Sequence, residues 1–210
     1  MELNNIEKSN KPAKVLVMRA LFCAVLLLMT PGITIAADNR HAAEALLKDK
    51  LDSVILILQS KNLDIQGKRN EINNIVTPMF DFSLMAKLTL GRKYWPGLTK
   101  EQKGRFTVLF IDLLKDTCLE KISLYTNEKV VYQGTVKIKN KVHVETDLIS
   151  GNSTISMLFK FFKSSNGWKV YDLEIEGVSL IKTYRSQFDE VLRKGTIDDL
   201  LLRLEKPEKN

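Results

Sequence analysis

The sequence predicts an α+β domain, an antiparallel sheet of about four strands with one apolar face, covered by helices that precede and follow it. Three observations predict this. Apolar residues recur at helical spacing from Ala42 to about Tyr125. From Lys129 to Glu176 the period changes to two, interrupted only by short turns. After Ser179 the helical period returns.

The first helix is expected over Ala42–Leu58, with Leu46, Leu47, Leu51, Val54, Ile55 and Leu58 as its apolar stripe. A second covers Lys68–Val76 and stops before Pro78. Asp81 is placed to cap a helix from Phe82 to Leu90, with Gly91 as its stop. Thr99 and Gln102 have capping-box spacing. They open a long helix to about Tyr125, whose stripe is Phe106, Leu109, Phe110, Leu113, Leu114 and Leu119.

In the first strand Val130, Tyr132, Val136 and Ile138 are expected on the inner face. Val142, Val144 and Leu148 follow in the second, opposite a polar face of His143, Glu145 and Asp147. Ile155, Met157, Phe159 and Phe161 share a face of the third. In the fourth, Tyr171, Leu173 and Ile175 alternate with Asp172, Glu174 and Glu176, which the pattern turns toward water. Gly134 and Thr146 are small residues at inward positions, where they leave room or permit a bend. Ser179 is the expected N-cap of the last long helix, which ends near Gly195. Thr196 opens a short helix through Leu204, and 205–210 is read as a tail.

Residues 1–36 have the layout of a secretory signal: basic residues up to Arg19, an apolar run from Ala20 to Met29, a Pro31-Gly32 break, and small Ala36 and Ala37. The apolar run is about half of the ~20 residues a spanning helix needs. Cleavage after Ala36 or Ala37 would leave one domain from residue 37 to 204. Losing four basic and two acidic residues would lower the formal charge from +7 to +5. One cysteine, Cys118, would remain, so no internal disulfide could form and packing must supply stability.

Reactive side chains are sparse. His41 and His143 are the two histidines, and no His/Cys/Asp cluster has metal-ligand spacing. Neither a phosphate-binding glycine loop nor a nucleophile elbow is present. Basic residues are dispersed rather than interleaved with aromatics, which argues against nucleic acid as a partner. Asp172, Glu174 and Glu176 are the closest carboxylate set, and a buried member could act as a base. An enzyme of the cone-shaped α+β type is therefore one competing reading. An exported adaptor with a filled core is another.

The run Ile175-Glu176-Gly177-Val178-Ser179-Leu180, followed by Tyr184-Arg185-Ser186-Gln187-Phe188, resembles the periplasmic phospholipid carriers of the Mla pathway, the MlaC or toluene-tolerance family. Phe80-Asp81-Phe82, Leu90-Gly91-Arg92, Trp95 and Thr99–Phe110 resemble the same family. The resemblance implies a curved sheet packed by helices around an apolar lipid pocket, no catalysis, no cofactor, and bound phospholipid as cargo. It implies a periplasmic location and two partners, an inner-membrane ABC transporter with a lipid-binding substrate domain and an outer-membrane lipoprotein–porin complex. The side chains expected to line the pocket are Phe82, Phe106, Phe110, Tyr132, Val144, Met157, Phe159, Phe161, Tyr171, Ile175 and Tyr184. Arg185 is the candidate charge for a head group or a partner.

Overall fold

The computed structural model describes residues 39–119 and 127–206, with side chains for 40–116 and 127–206. The expected leader, the long helix beyond Leu119, the Cys118 side chain and residues 207–210 lie outside that range. In chain order the elements are α1 (Asn39–Gln59), α2 (Ile65–Val76), α3 (Phe82–Tyr94), α4 (Lys100–Leu119), β1 (Lys129–Ile138), β2 (Lys141–Ser150), β3 (Ser153–Ser164), β4 (Gly167–Ile175), β5 (Val178–Ser179), α5 (Leu180–Lys194) and α6 (Ile197–Glu205). Among the described residues no helix is long and apolar enough to cross a membrane.

Side-chain caps start the helices where the sequence placed them. The Asp81 carboxylate accepts from the Leu84 N–H at 2.9 Å. Thr99 and Gln102 bond reciprocally, each at 3.1 Å. Thr196 and Asp199 form a second reciprocal box. The helix expected from Lys68 begins three residues earlier, because Asp64 accepts from the Gly67 N–H at 2.7 Å and caps it. Gly91, expected as a stop, is a kink instead. Its φ of 62° breaks the helical path, and the chain then resumes as far as Tyr94. Glu205, assigned to the tail, belongs to α6 and pairs with Arg105 at 2.7 Å.

The sheet is antiparallel with order β1-β2-β3-β4-β5. The fifth strand comes from the Gly-Val-Ser corner. Glu176 and Gly177 both take positive φ, which turns Val178 and Ser179 back against Ile175 and Glu174. Further along the same edge, Phe80 bridges Val170, and the Asp81 N–H donates to the Val170 carbonyl at 2.9 Å. These two contacts tie the start of α3 to the sheet.

Two bulges correct the expected faces. In β1, Tyr132 opposes Thr146 but Gly134 opposes Glu145, so Gln133 is an extra residue. One extra residue reverses a period-two pattern. Thr135 therefore faces inward, and Val136 and Ile138, expected inside, are exposed along with Gly134. In β4 the extra residue is Tyr171, because Val170 opposes Phe161 while Asp172 opposes Lys160. Trp168 and Val170 thereby face inward with Phe161. Tyr171 turns outward, 6.1 Å from the Phe162 ring, with the Lys141 ammonium 4.4 Å from its own centroid.

Of the three carboxylates expected in water, Glu176 is exposed, but Asp172 is buried and Glu174 half-buried. Asp172 is buried, accepting from the Ser179 hydroxyl at 2.8 Å, the Ile181 N–H at 3.2 Å and the Lys160 ammonium at 3.2 Å. Lys160 also pairs with Glu174. Burial pulls the Lys160 ammonium down, and the bond to Glu174 and the charge of Asp172 more than reverse this, so it stays charged. His143, expected on a solvated face, is half-buried, and burial followed by the nearby Lys160 charge lowers its pKa. Asp172 thus fastens β4 to the first turn of α5. Replacing it by Ala is expected to cost about 2–4 kcal/mol, because Ser179, the Ile181 amide and Lys160 all lose their acceptor. Urea unfolding would check this, and a loss under about 1 kcal/mol would contradict it.

Candidate functional site

The inward side chains of the sheet form rows across the strands. Val142, Phe161 and Val170 are register partners in one row. The next contains Thr135, Val144, Phe159 and Leu173. The third contains Tyr132, Thr146, Met157 and Ile175, and the fourth contains Val130, Leu148 and Ile155. Apolar character persists through all four rows, but cover does not. Phe161 and Val142 are 0% exposed, whereas Ile155 is 36% and Ile175 is 38% exposed.

Helix α1 accounts for this gradient. Ala43 and Leu47 in its first half are fully buried against the Val142–Phe161 end. Two hydrogen bonds fix its course along β1. Thr135 donates to Glu44 at 2.9 Å, and the Tyr132 hydroxyl donates to Asp52 at 3.3 Å. The second half of α1 therefore reaches the third and fourth rows. Its residues there, Leu51, Val54, Ile55 and Leu58, are only half-buried, as are Leu148 and Met157 on the sheet side. Helix α1 seals the sheet face at one end and leaves it only half-covered at the other, and this half-covered apolar strip is the slot of the candidate site. Burial, followed by the charge of Asp52, pushes the Tyr132 phenol well above its ordinary pKa, so it stays neutral at the slot's edge.

The expected pocket residues do not converge on one space. Val144, Phe159 and Phe161 lie in the sealed end with Trp168 and Val170. Met157, Ile175 and Tyr132 lie in the third row, at the slot. Phe82 stacks on Phe80 at 5.4 Å, and Phe80 packs against both this core and a second one. The second core is helical, built by α3, α4, α5 and α6. There Phe106, Phe110, Tyr184 and Phe188 meet through ring contacts of 5.5–6.1 Å. Tyr171 is on the opposite face of the sheet. Periodicity identified the apolar faces outside the two bulges but could not separate two cores built from one pattern. Leu51, Val54, Ile55, Leu58 and Leu148 were legible as apolar stripe residues, and only the course of α1 over the sheet assigns them to the slot.

Arg185 has a structural task. Its Nε donates to the Leu88 carbonyl at 2.9 Å, one turn before the break at Gly91. Thr146, read as a small inward residue, is 0% exposed, and among the described residues its hydroxyl has no hydrogen-bond partner. A buried hydroxyl left unpaired costs about 1–3 kcal/mol. Thr146→Val keeps the shape and removes that group. It is expected to leave stability unchanged or raise it by up to about 1 kcal/mol in denaturant unfolding. A loss above about 1 kcal/mol would show that the hydroxyl is bonded.

Known proteins with the same organisation were identified by three comparisons. The family model described as MlaC protein matches residues 48–206. The intermembrane phospholipid transport system binding protein MlaC of Haemophilus influenzae is 27% identical over 164 residues, covering 75% of this chain and 76% of that protein. A phospholipid-binding protein from Ralstonia solanacearum, solved in complex with a phospholipid, superposes with a TM-score of 0.70 at 27% identity. That likeness covers 78% of this chain and 95% of the other. The matched span runs from the middle of α1 to the end of α6, so it includes the helical core, the sheet core apart from Ala43 and Leu47, and the slot side of α1. On that extent of likeness, the chain belongs to the MlaC protein family.

Proposed function

We propose that this protein is a soluble periplasmic phospholipid carrier that takes acyl chains into the slot between the second half of α1 and the Met157 end of the sheet. The observation that carries the reading is the gradient of cover over a sheet face that is apolar in all four rows apart from Thr135 and Thr146. A filled core would bury Leu148, Met157 and Ile175 as fully as it buries Phe161. The Ralstonia neighbour, solved with a phospholipid, supports the choice of ligand.

The physics fits the task. Two acyl chains carry roughly 30 methylenes at about 0.8 kcal/mol each, so exposing them to water costs on the order of 20 kcal/mol. A carrier lowers that barrier by enclosing the tails and leaving the charged head in water. No reactive group is needed for this. The strongest catalytic candidate, Asp172, has its oxygens engaged by Ser179, the Ile181 amide and Lys160 on the face away from the slot. Within this reading the carrier exchanges lipid between an outer-membrane lipoprotein–porin complex and an inner-membrane ABC transporter, which maintains outer-membrane lipid asymmetry.

Native mass spectrometry of protein prepared without detergent tests the proposal. The wild type is expected to carry phospholipid near one-to-one. Met157→Glu sets a charge in the slot wall where the side chain is half-buried, so the protein stays folded. It is expected to lower bound lipid by about tenfold or more. Full lipid content in a folded Met157→Glu protein would contradict the placement.

A further inference from the structure

The two segments that carry the strongest sequence resemblance reach the slot only at Ile175. Leu90–Tyr94 and Lys182–Asp189 meet about a second concavity, between the kinked end of α3 and one face of α5, with a volume of about 420 Å³. This lies within the ~300–1,000 Å³ usual for binding pockets. Leu90 lies buried beneath it, most of its exposed surface is apolar, and the charged side chains of Arg92, Lys93, Lys182, Arg185 and Asp189 border it.

Those charges fall into two groups. Lys93 and Arg185 are committed. Lys93 donates to Asp189 at 2.8 Å, and Arg185 holds the Leu88 carbonyl. Arg92 on α3 and Lys182 on α5 have no side-chain hydrogen bond or ion pair among the described residues. Asp189 shows how the groove receives a carboxylate. It accepts from Lys93 and from the Tyr94 hydroxyl, each at 2.8 Å, and pairs with Arg193 at 3.1 Å. The bonds from Lys93 and then Tyr94 hold it below the usual carboxylate range. With Asp189 neutralised internally, the unshared charge of the groove is positive and comes from both walls.

We propose that this groove is a docking site for an acidic segment of a partner protein, which places a glutamate or aspartate side chain between Arg92 and Lys182. The occupant follows from shape and charge. A bilayer presents its phosphates in a plane and is met by a flat or convex basic surface. A cleft between two helices instead admits a protruding side chain. Acyl chains would be set against unpaired cations here, so the groove is not a second cargo site. The proposal deepens the carrier reading and rests on it for the presence of a partner. It places recognition on α3 and α5 and cargo beneath α1, so both could be engaged together.

The test is a nuclear magnetic resonance titration of ¹⁵N-labelled protein with a tetraglutamate peptide, inorganic phosphate and phosphatidylglycerol vesicles in parallel. The peptide is expected to shift the amides of Leu90–Tyr94 and Lys182–Asp189 selectively, with affinity falling as salt rises. Arg92→Glu combined with Lys182→Glu should weaken that binding by about tenfold or more and leave bound phospholipid unchanged. Three results would overturn the proposal: no localised shifts, equal shifts from phosphate, or engagement of the same amides by vesicles but not by peptide. Loss of phospholipid from the double variant would also overturn it, by assigning the groove to the cargo. Absence of phospholipid from the wild type would instead sink the carrier reading, through a measurement independent of the titration.

Discussion

One apolar sheet face, longer than its tight cover, governs this structure. Four rows of inward side chains need a partner, and the small Ala43 with Leu47 lets α1 seat closely on the first two rows only. Beyond Leu47 the helix presents Leu51, Val54, Ile55 and Leu58, and neither they nor Leu148, Met157 and Ile175 on the sheet reach full burial. Apolar surface left half-covered is a standing cost in water. A chain retains it when another apolar molecule completes the core. The slot is in that sense an unfinished core, and its cargo is the missing part.

Separation of tasks follows from the second core. Phe106, Phe110 and Phe188 pack the helical layer through ring contacts and need nothing from the slot to be stable. Phe80 joins the two cores, and Asp172 fastens α5 to β4 on the opposite face of the sheet. The slot can therefore change its occupancy without disturbing the helical layer that holds its walls in place. The groove at the α3 kink belongs to that helical layer. It shares no lining residue with the slot.

Most of the architecture was legible in the sequence. Period two and period 3.6 located the strands and helices, and Asp81, Thr99, Ser179 and Thr196 were each read correctly as caps. The misassigned strand faces share one cause. Single extra residues at Gln133 and Tyr171 invert the pattern beyond them, and no local signal in β-branched or aromatic residues announces a bulge. The inward readings of Val136, Ile138 and Tyr171 failed with them, whereas Asp172 kept its predicted outward face and is buried because the start of α5 covers it there. Merging two cores into one pocket failed for a different reason. Periodicity reports which face of an element is apolar and is silent on which neighbour covers it. Arg185 shows the same limit, since its carbonyl partner Leu88 is 97 residues away in sequence.

Methionine methyl resonances offer the most direct test of where the cargo lies. Met157 is at the slot, Met79 is in the sealed sheet core, and Met85 is in the helical core. The protein would be loaded with a phospholipid carrying a nitroxide midway along one acyl chain, and methyl line widths compared before and after reduction of the label. The account predicts strong broadening of the Met157 signal, with Met85 retaining its width. Broadening of Met85 with Met157 untouched would place the tails in the helical core and contradict the assignment of the slot.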